Sequence, residues 1–318
     1  MNIYGPEYKV YSKDNKVANF SVKYLNKAID NKYIIVAYVE KCTITNSLVL
    51  NLGKNIKGIV DFEDIEFKFD GKASTEKAAT TKVGKFVKVI PTSIVDNSDG
   101  TYTVQCSRKL AQIRCKHKYL DNLKSGDIID AKVAGIAPYG VFCDIGCGIT
   151  SLLPINYICV PHIVDIYSEL YGVHTLRVIV KDRDELGRIR LTHKELLGTW
   201  KEEVDRLHIG NDDILLGEVV NKTSSGVFVR ISQNLTALAP ENNLDLEVGD
   251  LVHIRIRSIN TELMKIKVYI LDKIDNQAKI VRVYRYSFND VKHIDSWKYS
   301  TDKSEKVIET VFNEEETI

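Results

Sequence analysis

The side chains best suited to chemistry in this chain are two rings, Tyr139 and Phe142, in the run Tyr-Gly-Val-Phe. Strand alternation over residues 141–145 sends Val141, Cys143 and Ile145 inward and leaves Phe142 and Asp144 toward solvent. Tyr139 lies three residues before Phe142, so a regular strand places it on the opposite face; a bend or bulge at Gly140 returns it. Two exposed rings suit stacking on unpaired bases, worth about 1–3 kcal/mol per base. They equally suit the simple covering of a barrel end, and the local sequence leaves both readings open.

Covalent chemistry finds little footing. The sequence has no phosphate loop of the GxxxxGK[ST] type, no GxSxG and no HExxH. His162 and His193 read as a loop residue and a helix-cap residue. Cys143 and Cys147 stand four apart with no second ligand pair, and read as small apolar core residues. The expectation is a binding protein rather than an enzyme, with no metal, no cofactor and no small-molecule substrate.

The elements that must position these rings are repeated. Residues 126–158 and 215–244 share one pattern, and a weaker copy covers 34–65. Each has an alternating strand, a break, a second alternating strand, a turn and a small apolar run. A second pattern, two β-rich runs around a polar turn, recurs at 83–109, 171–195 and 248–272. Five short alternating strands per unit predict a small closed barrel. Residues 108–127 and 192–212 place apolar residues three and four apart, so they predict short helical connectors, stopped by Gly126 and Gly210. The fold class is therefore all-β: three tandem five-stranded closed barrels joined by short helices. The expected boundaries are an extension over 1–33, barrels over 34–112, 124–197 and 212–273, and a second extension over 274–318. The first extension ends in a short helix at 22–29. In the second, residues 278–288 predict one more strand, and the acidic end NEEETI predicts a frayed tail.

At residues 133–155 and 180–195 the match becomes specific: the segments resemble the RNA-binding repeat of the bacterial small-subunit ribosomal protein S-one. The resemblance covers roughly 34–272 as three copies. It implies OB barrels that bind single-stranded RNA, such as mRNA, on an outer face without catalysis. It also implies that Asp184 and Arg188 stand beside the aromatic pair, Arg188 on phosphate or base and Asp184 orienting it or meeting a base edge. A solvated hairpin tip is the plainer account of that pair. Lys132, outward on its strand beside inward Val133, is a further phosphate contact. Where the family often has a histidine, this chain has Pro154, which offers no hydrogen bond. In the third repeat Phe228 matches Phe142, Ser225 replaces Tyr139, and Thr261 and Lys265 stand where Asp184 and Arg188 stand, so it keeps a partial RNA surface. The first repeat has Asn46 and Val49 at the ring positions, which implies a ribosome or other protein contact; its Lys-rich loop 66–82 reads as solvated.

Composition bounds these readings. The formal net charge is +1, so RNA affinity must come from a local stacking surface, not a bulk field. No stretch reaches the apolar length of a membrane helix, and the start lacks the pattern of a secretory signal. With unpaired cysteine spacings, this predicts a cytoplasmic protein. The competing reading is a protein-interaction scaffold of degenerate barrels with little RNA affinity.

Overall fold

A computed structural model describes residues 3–7, 19–241, 243–274 and 282–312. Helix α1 (Val22–Asp30) opens the described core, capped by the Ser21 side chain, which accepts from the Tyr24 backbone N–H. Strands β1 (Ile35–Cys42), β2 (Leu48–Gly53) and β3 (Ile56–Val60) follow, then a short helix α2 (Glu76–Thr80), β4 (Phe86–Asp96) and β5 (Tyr102–Ser107). They close a barrel in the order β1-β2-β3-β5-β4. Its core is aliphatic, with Val39, Leu48, Leu50, Val87 and Val104 fully buried.

Helix α3 (Arg108–Lys118) leads to the second barrel: β6 (Ile128–Ala137), β7 (Gly140–Gly146), β8 (Ile149–Pro154), α4 (Ile166–Glu169), β9 (Thr175–Arg183) and β10 (Ile189–Thr192), ordered β10-β8-β7-β6-β9. After α5 (Trp200–Leu207), the third barrel is built from β11 (Ile214–Thr223), β12 (Gly226–Arg230), β13 (Thr236–Ala239), β14 (Leu251–Asn260) and β15 (Lys265–Lys273), again closed, as β11-β12-β13-β15-β14. In all three, the third and fifth strands pair in parallel to shut the barrel. Three closed five-stranded barrels with few short helices are the OB architecture.

The chain divides into two compact units. One comprises residues up to 123 with Asp144–Ser151 and Arg183–Arg188; the other comprises Lys124–Cys143, Leu152–Asp182 and residues 189 onward.

In the first unit residues 3–7 are held by the core rather than loose. Arg108, 1% exposed, donates from Nε and Nη2 to the two Glu7 carboxylate oxygens, both at 3.0 Å, and from Nη1 to the Ile65 carbonyl at 2.9 Å. Lys88 donates to the Ile3 and Gly5 carbonyls at 2.7 and 2.6 Å. Asp144, expected in solvent, is 5% exposed. The tight turn ending β7 needs an acceptor: Asp144 Oδ1 takes the Gly146 and Gly148 N–H groups at 2.9 and 3.0 Å, and Oδ2 takes the Glu7 N–H at 2.7 Å. Burial, then the charge of Glu7, pushes the Asp144 carboxyl up to about 6. Burial also raises the Glu7 carboxyl, but the Arg108 guanidinium outweighs it and holds Glu7 below its usual value.

In the second unit residues 282–312 are likewise a structural part. The predicted strand at 278–288 does not form where the chain is described: residues 282–288 are irregular, and 278–281 lie outside the described residues. Residues 282–288 are held instead by Gln233, which exchanges hydrogen bonds with the Arg285 backbone at 2.7 and 2.8 Å. The hairpin β16 (Ser296–Lys298) and β17 (Glu309–Val311) follows, and Trp297, Tyr299 and Phe312 join the core of the third barrel. The end 313–318 lies outside the described residues. Both connectors stop before the expected glycines, α3 at Lys118 and α5 at Leu207, where His208 takes the left-handed conformation. Gly126 has a different task. A Cβ there meets the Ile294 carbonyl oxygen at 2.2 Å, so glycine lets the C-terminal segment pass. A buried ion cluster joins α4 to β12: Glu169 takes both Nη groups of Arg230 at 2.6 and 3.0 Å, and accepts from Tyr284 and Arg282 as well.

Candidate nucleic-acid interface

The second barrel presents the ring pair from the turn into β7. β7 starts at Gly140, so Tyr139 sits in the preceding turn, freed from strand alternation. Gly140 is required there because β8 passes close: a Cβ meets the Leu153 carbonyl at 2.5 Å and Pro154 Cα at 3.0 Å. The Ile155 N–H donates to the Tyr139 carbonyl at 3.0 Å and pins the turn. Tyr139 is 58% exposed and Phe142 is half-buried. Their ring centroids lie 6.2 Å apart with planes at 88°. Val141, Cys143 and Ile145 are buried, as alternation predicts.

A feature not anticipated from sequence adjoins this turn. Ile155 opens a short 3-10 turn (Ile155–Tyr157), and over its half-buried Tyr157 ring stand two ammonium groups, Lys181 at 5.1 Å and Lys194 at 5.2 Å. The lysines come from β9 and the segment after β10, so no local spacing announces the cluster. Lys132 is half-buried on β6, across from Thr175. Val133, on the same face as buried Ile129 and Ala131, is itself only half-buried.

Asp184 and Arg188 belong to the other compact unit and form a closed hairpin tip. Asp184 Oδ1 accepts from the Leu186 and Arg188 N–H groups at 3.0 and 2.9 Å, and Oδ2 accepts from Arg188 Nε at 2.7 Å. Against slight desolvation, these donors hold the Asp184 carboxyl below its usual value. The carboxylate is occupied in shaping the turn, while the Arg188 side chain remains 57% exposed.

In the third barrel Gly226 repeats the role of Gly140, with φ +129 and a Cβ position 2.2 Å from the Ala239 carbonyl. Phe228 is half-buried rather than open, and shares a cleft with residues outside the barrel, Trp200 and Tyr299 among them. The β14–β15 tip is engaged by the C-terminal segment: Lys303 pairs with Glu262 at 2.8 Å, Thr301 donates to the Glu262 carbonyl at 2.5 Å, and Lys265 faces Glu305 at 3.8 Å. The partial surface of this repeat is therefore a walled one.

His193, expected as a helix cap, does precede the 3-10 helix Lys194–Leu197 as its N-cap residue, but its side chain makes no capping hydrogen bond and is completely buried. Nδ1 lies 2.6 Å from the Ile158 carbonyl and so carries the proton; Nε2, 3.4 Å from the Tyr286 hydroxyl, accepts. Burial depresses its pKa to about 4, leaving a neutral structural imidazole. Among the described residues no cluster of His, Cys, Asp and Glu could hold a metal ion, and no helix is long and apolar enough to cross a membrane. All six cysteines are free thiols.

No protein-family model matches the chain. It is 27% identical over 300 residues to the small ribosomal subunit protein bS1 of Staphylococcus epidermidis, a match covering 88% of this chain and 74% of that protein. The protein of the same name from Staphylococcus aureus is 27% identical over 269 residues, covering 81% of this chain and 66% of the relative. The chain thus spans about two thirds to three quarters of these curated relatives. A solved multidomain protein with nucleic acid binding domains from Streptococcus pneumoniae is 14% identical, with 76% and 74% coverage and a TM-score of 0.24. That superposition is too loose to carry the fold, which rests on the three closed barrels themselves. The chain resembles bS1 along most of its length and has three five-stranded barrels.

Proposed function

We propose that this bS1-like chain is a non-catalytic, cytoplasmic protein that binds single-stranded RNA, mRNA above all, in association with the small ribosomal subunit. The observation that carries the reading is the Tyr139–Phe142 pair, one ring open to solvent and the other half-buried, on a turn tied to a lysine-flanked tyrosine. Unpaired bases offer flat faces to such rings, and the ammonium groups offer charge to phosphate. The barrels over 34–112, 124–197 and 212–273 act as three repeats. The second is the main RNA surface, with Arg188 and Lys132 supplying further cationic contacts. The first has Asn46 and Val49 where rings would stand, and serves a ribosome or protein contact.

Titrating the purified chain with labelled single-stranded RNA, duplex RNA and single-stranded DNA tests the reading. Single-stranded RNA should bind tightest, because a duplex hides its bases. With a formal net charge of +1, affinity should fall only gently with salt. Preference for duplex, or no RNA binding at all as a pure protein scaffold requires, would overturn it.

A further inference from the structure

The third barrel lacks the tyrosine that completes the ring pair in the second: Ser225 stands in its place. Rings from outside the barrel stand near Phe228 instead. A cleft of about 300 Å³ is lined by Phe228 and Asn221, whose Cα atoms are register partners on β12 and β11. Trp200 of α5, His162 from the segment after β8, and Tyr299 and Lys306 from the C-terminal segment complete its walls. Trp200 and Tyr299 are 3% and 5% exposed and held by the barrel core, with the Tyr299 hydroxyl donating to the Asn234 carbonyl at 2.5 Å. These walls are fixed, not floppy.

The lining has a definite chemistry. Three aromatic side chains suit a flat unsaturated body. Asn221 offers an amide: its Oδ1 accepts the Lys222 N–H at 2.9 Å, and among the described residues Nδ2 makes no hydrogen bond, so a donor is available. Lys306 is exposed and carries no ion pair among the described residues, and no carboxylate lines the cleft. A planar base with a polar edge, joined to an anionic phosphate, complements all three features together. An aliphatic peptide side chain would leave the amide and the ammonium unmatched.

We propose that this cleft takes one unpaired base of single-stranded RNA, with the ring held among Phe228, Trp200 and Tyr299, its edge met by Asn221 and the neighbouring phosphate by Lys306. The proposal rests on the RNA-binding reading and deepens it: the second barrel stacks bases on an open surface, whereas the third captures a single base in a walled site. Residues outside the barrel therefore restore what its own sequence has lost.

The chain has two tryptophans, so Trp297→Phe leaves Trp200 as the sole indole reporter. Fluorescein-labelled nonauridylate is titrated while label anisotropy and Trp200 emission are both recorded. Binding should shift Trp200 emission, and Asn221→Ala or Lys306→Glu should weaken that response about tenfold. Because Trp297 is a core residue, a second measurement uses the unaltered chain: irradiation with 4-thiouridine-substituted RNA should crosslink peptides containing Phe228 or Tyr299. Anisotropy that reports binding with a silent Trp200, or crosslinks confined to peptides around Tyr139, overturns the cleft proposal while the RNA reading stands. Flat anisotropy sinks both.

Discussion

The Tyr139 and Phe142 rings meet edge to face at 88°, so a single base cannot lie parallel to both. They must address different bases, or one stacks while the other closes its side. Tyr139, more than half exposed, is the cleaner probe. Tyr139→Ala should reduce RNA affinity by about 1–3 kcal/mol, and the double alanine variant by about 2–5 kcal/mol if each ring holds its own base. The Tyr139 change should alter stability by no more than about 0.5 kcal/mol, whereas half-buried Phe142 should cost more. Thermal melts beside RNA titrations check this, and unchanged affinity in a folded double variant would refute the stacking model.

Arg108 and Glu7 form a buried pair that fastens residues 3–7 to the first unit. Arg108→Ala leaves the Glu7 and Asp144 carboxylates without their cation and should cost about 3–5 kcal/mol in urea unfolding. Combining Arg108→Met with Glu7→Met should recover part of that loss, because no lone charge of the pair is then buried. A double variant no better than Arg108→Ala alone would show that the pair is not the source of the effect.

His193 sets a pH dependence of definite sign. Its pKa falls from an ordinary 6.5 to about 4 in the fold. The stability it contributes is whole above 6.5 and is lost as pH drops toward 4, on the order of 3 kcal/mol in all. Asp144, raised to about 6, acts oppositely: it disfavours the fold when ionised, and protonation relieves that cost as pH falls through 6. The two partly cancel in the unaltered chain. The gap in unfolding free energy between it and His193→Gln should therefore narrow from pH 7 to pH 4, and a constant gap would count against a neutral buried imidazole.

Gly126 carries both a left-handed φ of +92 and a Cβ position 2.2 Å from the Ile294 carbonyl. Gly126→Ala should lower stability by at least the roughly 1–3 kcal/mol that strained backbone costs. Gly100, at φ +81 with nothing within 4 Å, carries the strain without the clash, so Gly100→Ala should cost less. Equal melting temperatures for the two variants would mean the C-terminal segment yields freely at Ile294.

Three barrels were legible in the sequence because their information is local and repeated. Alternation marks the inward residues of each strand, and the same Gly-Val-Phe run opens β7 and β12, where the third strand of each barrel approaches too closely for a side chain. Helix α1 was readable for the same reason, and the rings at Tyr139 and Phe142 followed from strand parity broken at one glycine. What only the tertiary structure decided depends on residues far apart in the chain. Strand parity sends Asp144 outward, yet a turn with unsatisfied N–H groups and the distant Glu7 claim its carboxylate. Lys181 and Lys194 reach Tyr157 from separate elements. Residues 282–312 show little regular periodicity because they are held largely by other elements, through Gln233, Arg177 and the core around Trp297, rather than by a ladder of their own. Their packing against the third barrel changes Phe228 from an exposed ring into the wall of a cleft, a change no local pattern can encode because its cause lies some seventy residues downstream.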